Sequence, residues 1–157
     1  MRPVKHLIPE FEKLRSRFPA GFESSLVLPC LRRIQEDCGY VADTDIEELT
    51  AYLGVPRIQI EEVLSFYTQF RRKPIGRWHL QFCHNVSCSM HGAENILSHV
   101  EKKLGVRPGQ TTPDGRYTLS TAECLGSCGT APMMMVNDSY HENLSNEKVD
   151  ALLEELK

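Results

Sequence analysis

The sequence predicts an α+β chain: a helical N-terminal half followed by an α/β C-terminal half. Three observations predict it. Apolar residues recur at helical spacing over the first 70 residues, the breaker-rich segment RRKPIGR at 71–77 interrupts that period, and beyond it short strand-length runs alternate with helical stretches. The break sets two domains, 1–72 and 73–157.

The helical half contains four periodic segments. Residues 7–18 carry Leu7, Phe11, Leu14 and Phe18 on one helical face. Residues 24–38 follow and end at Gly39, a residue suited to the left-handed conformation past a helix C-terminus. Pro29 lies inside this segment, so the helix must kink there or start there with Pro at its first position. A third helix spans 44–53, with Asp43 as its N-cap and Gly54 at its end. The fourth covers 56–68, with Pro56 at its first position. In the second half, residues 78–82, 116–120 and 133–137 read as strands and 89–104 as a helix. A closing helix at 146–157 has Ser145 or Asn146 as cap and Val149, Leu152, Leu153 and Leu156 as its apolar stripe.

Composition narrows the function classes. A hydrophobic fraction of 41% with 25% charged residues is that of a soluble globular protein. The net charge of −3 comes without a basic patch, which argues against nucleic acid as a partner. No apolar run approaches the roughly 20 residues of a membrane helix, and the N-terminal MRPVKHLIPEFEKL lacks the apolar core of a secretory signal. The expected location is the cytoplasm or an equivalent reducing compartment. There, six cysteines serve more naturally as metal ligands or catalysts than as a disulfide framework.

Four of those cysteines form the candidate site. Cys83-x4-Cys88 leads from a strand into a helix, and Cys124-x3-Cys128 lies in the loop ECLGSCGTAP between two strands. Two such thiolate pairs on loops at one end of a sheet can converge on one centre. Gly126 and Gly129 leave room for close backbone approach, and the start of the 89–104 helix offers free N–H groups to an anionic cluster. No Lys or Arg occurs in 78–101 or 122–136. Backbone dipoles would then balance the charge of an iron–sulfur cluster, which points to a low reduction potential. Phe82, Val86, Leu125, Ala131 and Met133 would limit access of water. The spacing also suits zinc on four cysteines. A Rieske centre would need His84 and His91 as ligands where four cysteines already suffice, and a dithiol redox site lacks its C-x-x-C. Cys30 and Cys38, eight residues apart on one helix, stand about 12 Å apart by the helical rise. That is too far for a disulfide, so both read as packed helix residues.

The segments CHNVSCSMHGAENIL (83–97), KLGVRPGQTTPDGRYTL (103–119) and ECLGSCGTAPMMMVND (123–138) closely resemble the thioredoxin-like [2Fe–2S] subunit of NADH:quinone oxidoreductase, respiratory complex I. QEDCGYV (35–41) and EEVLSFYTQF (61–70) extend the likeness into the first half. The resemblance implies an N-terminal helical bundle and a thioredoxin-like ferredoxin domain, with one [2Fe–2S] cluster on Cys83, Cys88, Cys124 and Cys128. It also implies a partner, the flavoprotein subunit that carries FMN and binds NADH, and a peripheral place on the cytoplasmic face of the membrane within a larger complex.

What the sequence lacks agrees with that division of labour. It has neither G-x-G-x-x-G nor a P-loop, and no assignable catalytic triad. The expected function is electron transfer inside an NADH-oxidising oxidoreductase, with no complete active site on this chain. Alternatives are the same module in a soluble NAD-linked hydrogenase or formate dehydrogenase, a zinc-stabilised interaction module, and a thiol–disulfide protein. Among secondary features, Met133–Met135 read mainly as core. Phe66, Tyr67 and Phe70 read as packing between the two halves, with contact to the flavoprotein as the alternative, and His84 and His91 as solvated or hydrogen-bonded side chains.

Overall fold

The computed structural model describes residues 4–156. Residues 1–3, where the segment read for a secretory signal begins, and Lys157, the last residue of the expected closing helix, lie outside the described residues. The chain divides between Pro74 and Ile75 into two compact units.

The first unit holds four α-helices: α1 (Ile8–Arg15), α2 (Val27–Cys38), α3 (Asp43–Leu53) and α4 (Arg57–Phe66). Single 3-10 turns at Val4–Leu7 and Glu23–Leu26 lead into α1 and α2. On α2 the buried residues Val27, Cys30, Leu31 and Ile34 follow one helical face. They join Phe11, Ile46, Leu49 and Ile60 in a single apolar core. Each large side chain so buried contributes about 1.5–3 kcal/mol.

Three expected boundaries shift here, each for a local reason. Pro29 does not start α2 but sits third in it, inside the first turn, where a missing N–H leaves no hydrogen bond unmade. Asp43 is the first residue of α3 and not its cap. Ala42 takes the cap position, and its N–H donates to Asp45 Oδ2 at 2.8 Å. Pro56 stands just before α4, with extended ψ. The segment 71–77, read as the linker, holds the division between the units, and its first two residues are tied to the first unit. Val41 N–H donates to Arg71 O at 2.7 Å, Arg71 N–H donates to Gln35 Oε1 at 2.6 Å, and Arg72 pairs with Asp43 and Glu61.

The second unit is a five-stranded mixed sheet of order β2-β3-β1-β4-β5. Its strands are β1 (Trp78–Cys83), β2 (Gln110–Thr111), β3 (Tyr117–Ala122), β4 (Met134–Val136) and β5 (Ser139–His141). β1 and β3 run parallel, with Cys83 opposite Ala122, whereas the other neighbours are antiparallel. Between β1 and β3 the chain forms the five-residue α5 (Val86–Met90) and then α6 (Ala93–Leu104); α7 (Asn146–Glu155) closes the unit. The expected single helix at 89–104 is thus two, because Gly92 takes a left-handed conformation between them. α6 packs on β1 and against α7. Leu80, Phe82, Leu119, Met134, Val100 and Val149 form the core. Ser145 caps α7 as expected, its Oγ accepting from Lys148 N–H at 3.3 Å. No helix among the described residues is long and apolar enough to cross a membrane.

Two residues of this unit generate tests. A Cβ on Gly76 would lie 2.9 Å from the Arg116 carbonyl and the Tyr117 backbone, where nothing flexible can yield. Gly76→Ala should therefore cost about 1–3 kcal/mol, read as a lowered thermal midpoint. Asp150 accepts from Lys103 Nζ at 2.7 Å and lies 2.8 Å from His99 Nε2. Lys103 first, then His99, hold its carboxyl below the ordinary range. The stability this gives is present at neutral pH and is lost as pH falls through the lowered value. Asp150→Asn should be less stable than wild type at neutral pH, and denaturant melts should show the gap closing in acid.

Candidate metal centre

The parallel pairing of β1 with β3 sends the chain out of both strands at the same end of the sheet. β1 ends on Cys83, and the following loop and α5 carry Cys88. β3 ends on Ala122, and the next loop carries Cys124 and Cys128. β4, antiparallel to β1, brings Met133 back to the same end. The four cysteines named from the sequence therefore come from two loops at one sheet end. All are free thiols, as are Cys30 and Cys38.

The two pairs differ sharply in environment. Cys83 and Cys88 are 3% and 2% exposed and pack with Ala93 and Met133, with Leu125 and Ala131 at the margin. Cys124 and Cys128 are exposed. Burial first, then hydrogen-bond contact with the Cys83 thiol, raises the Cys88 pKa, and nearby Cys128 adds to the effect. The Met133 amide works against it by hydrogen bonding to the sulfur. In the other pair, Gly126, with φ of +79°, turns its N–H onto Cys124 Sγ at 3.3 Å. Both pairs thus receive a backbone donor, as the glycine-rich loop suggests. The donor to Cys88 is Met133, however. α5 is too short to act as the dipole expected of a helix beginning at 89, and its cap is Asn85, which accepts from Val86 N–H.

A bridge between the loops completes the frame: Ser87 Oγ donates to Cys128 O at 3.0 Å. The segment after β4 braces the second loop. Tyr140 Oη donates to Leu125 O at 2.8 Å, and Thr130 and Ser127 donate to Glu142 Oε1. Sequence reasoning did not single out Ser87, Ser127, Thr130 or Glu142. Only the Asn137–Asp138 turn between apolar and aromatic runs hints at the β4–β5 hairpin that brings Glu142 back.

The donor set fits an iron–sulfur cluster. Four free thiols, a water-poor wall beside two of them, and amides on the sulfurs are what such a cluster needs. Among the described residues no three His, Cys, Asp or Glu side chains are gathered as a site for one metal ion. Four thiolates on two irons need no such single convergence. His84 lies 3.4 Å from Glu123, and His91 Nδ1 lies 2.7 Å from Ser87 O, so both rings have local partners. Met133 and Met134 are buried and Met135 half-buried, in line with a core role. Phe70 is buried in the first unit, but Phe66 is 77% exposed and Tyr67 39%. Within that unit the Tyr67 ring meets Phe66 and Phe70 edge to face, at 5.0 and 6.5 Å between centroids.

Burial sets Cys30 apart. It is fully buried, and desolvation pushes its thiol up to about 12 despite Arg15. In folded, cluster-free protein, iodoacetamide should alkylate Cys124 and Cys128 at least tenfold faster than Cys30, read by peptide mass spectrometry. Equal rates would contradict this packing.

Comparison with known proteins places the chain. The family model "Thioredoxin-like [2Fe-2S] ferredoxin" matches residues 11–157. An NADH-quinone oxidoreductase subunit of Rhizobium meliloti is 47% identical over 94% of this chain and 87% of its own length. One from Thermus thermophilus is 36% identical over 93% and 81%. Another, from Escherichia coli, is 39% identical over 83% and 78%. Among solved structures, the air-oxidised NAD+-reducing [NiFe]-hydrogenase superposes with a TM-score of 0.72 at 25% identity. That match covers 83% of this chain but 22% of the hydrogenase chain, so this chain spans about a fifth of it.

Proposed function

The chain belongs to the thioredoxin-like [2Fe–2S] ferredoxin family, and on that premise we propose that it is the electron-transfer subunit of an NADH:quinone oxidoreductase. It holds one [2Fe–2S] cluster on Cys83, Cys88, Cys124 and Cys128 and exchanges electrons with the FMN of an NADH-binding flavoprotein subunit. The observation that carries this reading is the parallel β1–β3 pair, which delivers two cysteine loops to one sheet end. Relatives named as NADH-quinone oxidoreductase subunits support the assembly, and the chain's lack of a nucleotide fingerprint leaves hydride chemistry to a partner.

When bound, such a cluster takes up and gives back one electron at a time. The chain's own residues do the rest. Burial disfavours the free Cys88 thiolate, so that thiol would give up its proton to a metal more readily than to water. Met133 and Gly126 amides donate to ligand sulfurs. The apolar wall of Ala93, Met133 and Leu125 keeps water from the inner pair. Cys124 and Cys128, exposed, form the edge nearest an approaching partner.

The likeness to an NAD+-reducing hydrogenase favours one second reading, the same module in that kind of enzyme. The higher identity and fuller coverage of the NADH-quinone oxidoreductase subunits rank it second.

Anaerobically purified protein should contain two irons and two acid-labile sulfides per chain and absorb in the visible. Cys88→Ala or Cys124→Ala should abolish or strongly alter that spectrum, and Cys30→Ala should leave it intact. A colourless protein with one zinc would overturn the cluster reading in favour of a zinc-stabilised interaction module. The loaded chain should also co-purify with an FMN-containing subunit, the pair oxidising NADH with an artificial acceptor. Failure to bind any flavoprotein would overturn the assignment to this assembly.

A further inference from the structure

We propose that Glu142 is a positioning residue for the Cys128 loop, acting both as its clamp and as a fixed negative charge that lowers the cluster's reduction potential. The potential half of this rests on the cluster reading above; the clamp half does not.

The loop from Cys124 to Pro132 is exposed over much of its length and has one short 3-10 turn, at Cys128–Thr130. Its own bonds, Thr130 N–H to Ser127 O at 3.2 Å and the Ser127 and Thr130 hydroxyls to each other at 2.7 Å, close the turn on itself without anchoring it to the sheet. Glu142 supplies a tie from outside. Its Oε1 accepts from Ser127 Oγ and from Thr130 Oγ1, the latter at 2.6 Å, so one carboxylate oxygen grips residues on both sides of Cys128. Backbone bonds extend the clamp, since Asn143 N–H donates to Thr130 O at 2.8 Å and Leu144 N–H to Pro132 O at 2.9 Å. Of these ties, the carboxylate alone can be removed by a side-chain change without touching the backbone.

Charge makes the choice of residue informative. A cluster on four thiolates is anionic and becomes more so on reduction. No Lys or Arg occurs from Tyr117 to Glu147, and Lys148, which follows, sets its Nζ on Asn143 O at 2.8 Å and not on the carboxylate. Glu142 therefore opposes the incoming electron, and two neutral hydroxyls are the groups that steady it. A neutral amide could make similar hydrogen bonds without that repulsion. The clamp and the charge are thus separable.

Three variants of the full chain separate them: Glu142→Ala, Glu142→Gln, and Ser127→Ala with Thr130→Val. In cluster-free protein, amides of residues 125–131 should exchange hydrogen at least tenfold faster in Glu142→Ala and in the double variant, with helices α2 to α4 unchanged. In cluster-loaded protein, iron release to a chelator should quicken at least threefold in those two and stay near wild type in Glu142→Gln. The midpoint potential should rise in both Glu142 variants and not in the double variant, which keeps the charge. Wild-type exchange and release in Glu142→Ala would overturn the clamp. An unmoved potential in Glu142→Gln would overturn the charge. Should wild type take up no [2Fe–2S] cluster, the functional reading falls, while amide exchange still decides the clamp.

Discussion

The rest of the second unit depends on one constraint, the parallel pairing of β1 with β3. Antiparallel neighbours would send their following loops to opposite ends of the sheet. Parallel ones send both to the same end, at the cost of a long crossover between them. Here that crossover holds α5 and α6, and its first turn already carries Cys88. The register that sets Cys83 opposite Ala122 fixes where the second cysteine loop begins. Sheet topology, and not local chain geometry, unites residues more than thirty positions apart.

Polarity around that sheet end is arranged in layers. Side-chain cations are missing from the cysteine segments, so the dipoles that face the sulfurs belong to the backbone, from Met133 and Gly126. Backbone donors carry no net charge and cannot be titrated away, and they are held by the strand and turn that present them. The hydroxyls of Ser87, Ser127 and Thr130 form a second layer that ties the loops to each other and to the β5 side. The methionine and alanine side chains behind Cys83 and Cys88 supply the dry third.

Much of this was legible in the sequence, for physical reasons that differ by residue. Every long helix announced itself through its apolar period, as in Val27, Cys30, Leu31 and Ile34, and Gly39, Gly54 and Ser145 marked ends by their backbone or side-chain chemistry. The division of 89–104 at Gly92 was missed because a glycine inside a periodic run reads as tolerated as often as broken. β2 and β5 are two and three residues long and mostly exposed, so no pattern could form. The cysteine spacing alone leaves iron–sulfur and zinc open, and the flanking residues and the family likeness favour iron–sulfur. Phe66, Tyr67 and Phe70 signal packing by residue type alone, and of the three only Phe70 is buried. The tie from Glu142 to Ser127 spans fifteen positions and a hairpin, and pair contacts of that kind leave no local trace.

The unequal burial of the two cysteine pairs has a consequence for durability. Cys83 and Cys88 pack as small apolar side chains, so that side of the site is held by the packing around it. Cys124 and Cys128 face solvent, and an edge open to an electron donor is equally open to oxygen and peroxide. Oxidative damage should therefore begin at the outer pair, and a protein seated over that edge would protect it simply by being there. On the proposed function, assembly would then be a form of shelter, and the lifetime of the centre would depend on occupancy of that face as much as on the bonds within it.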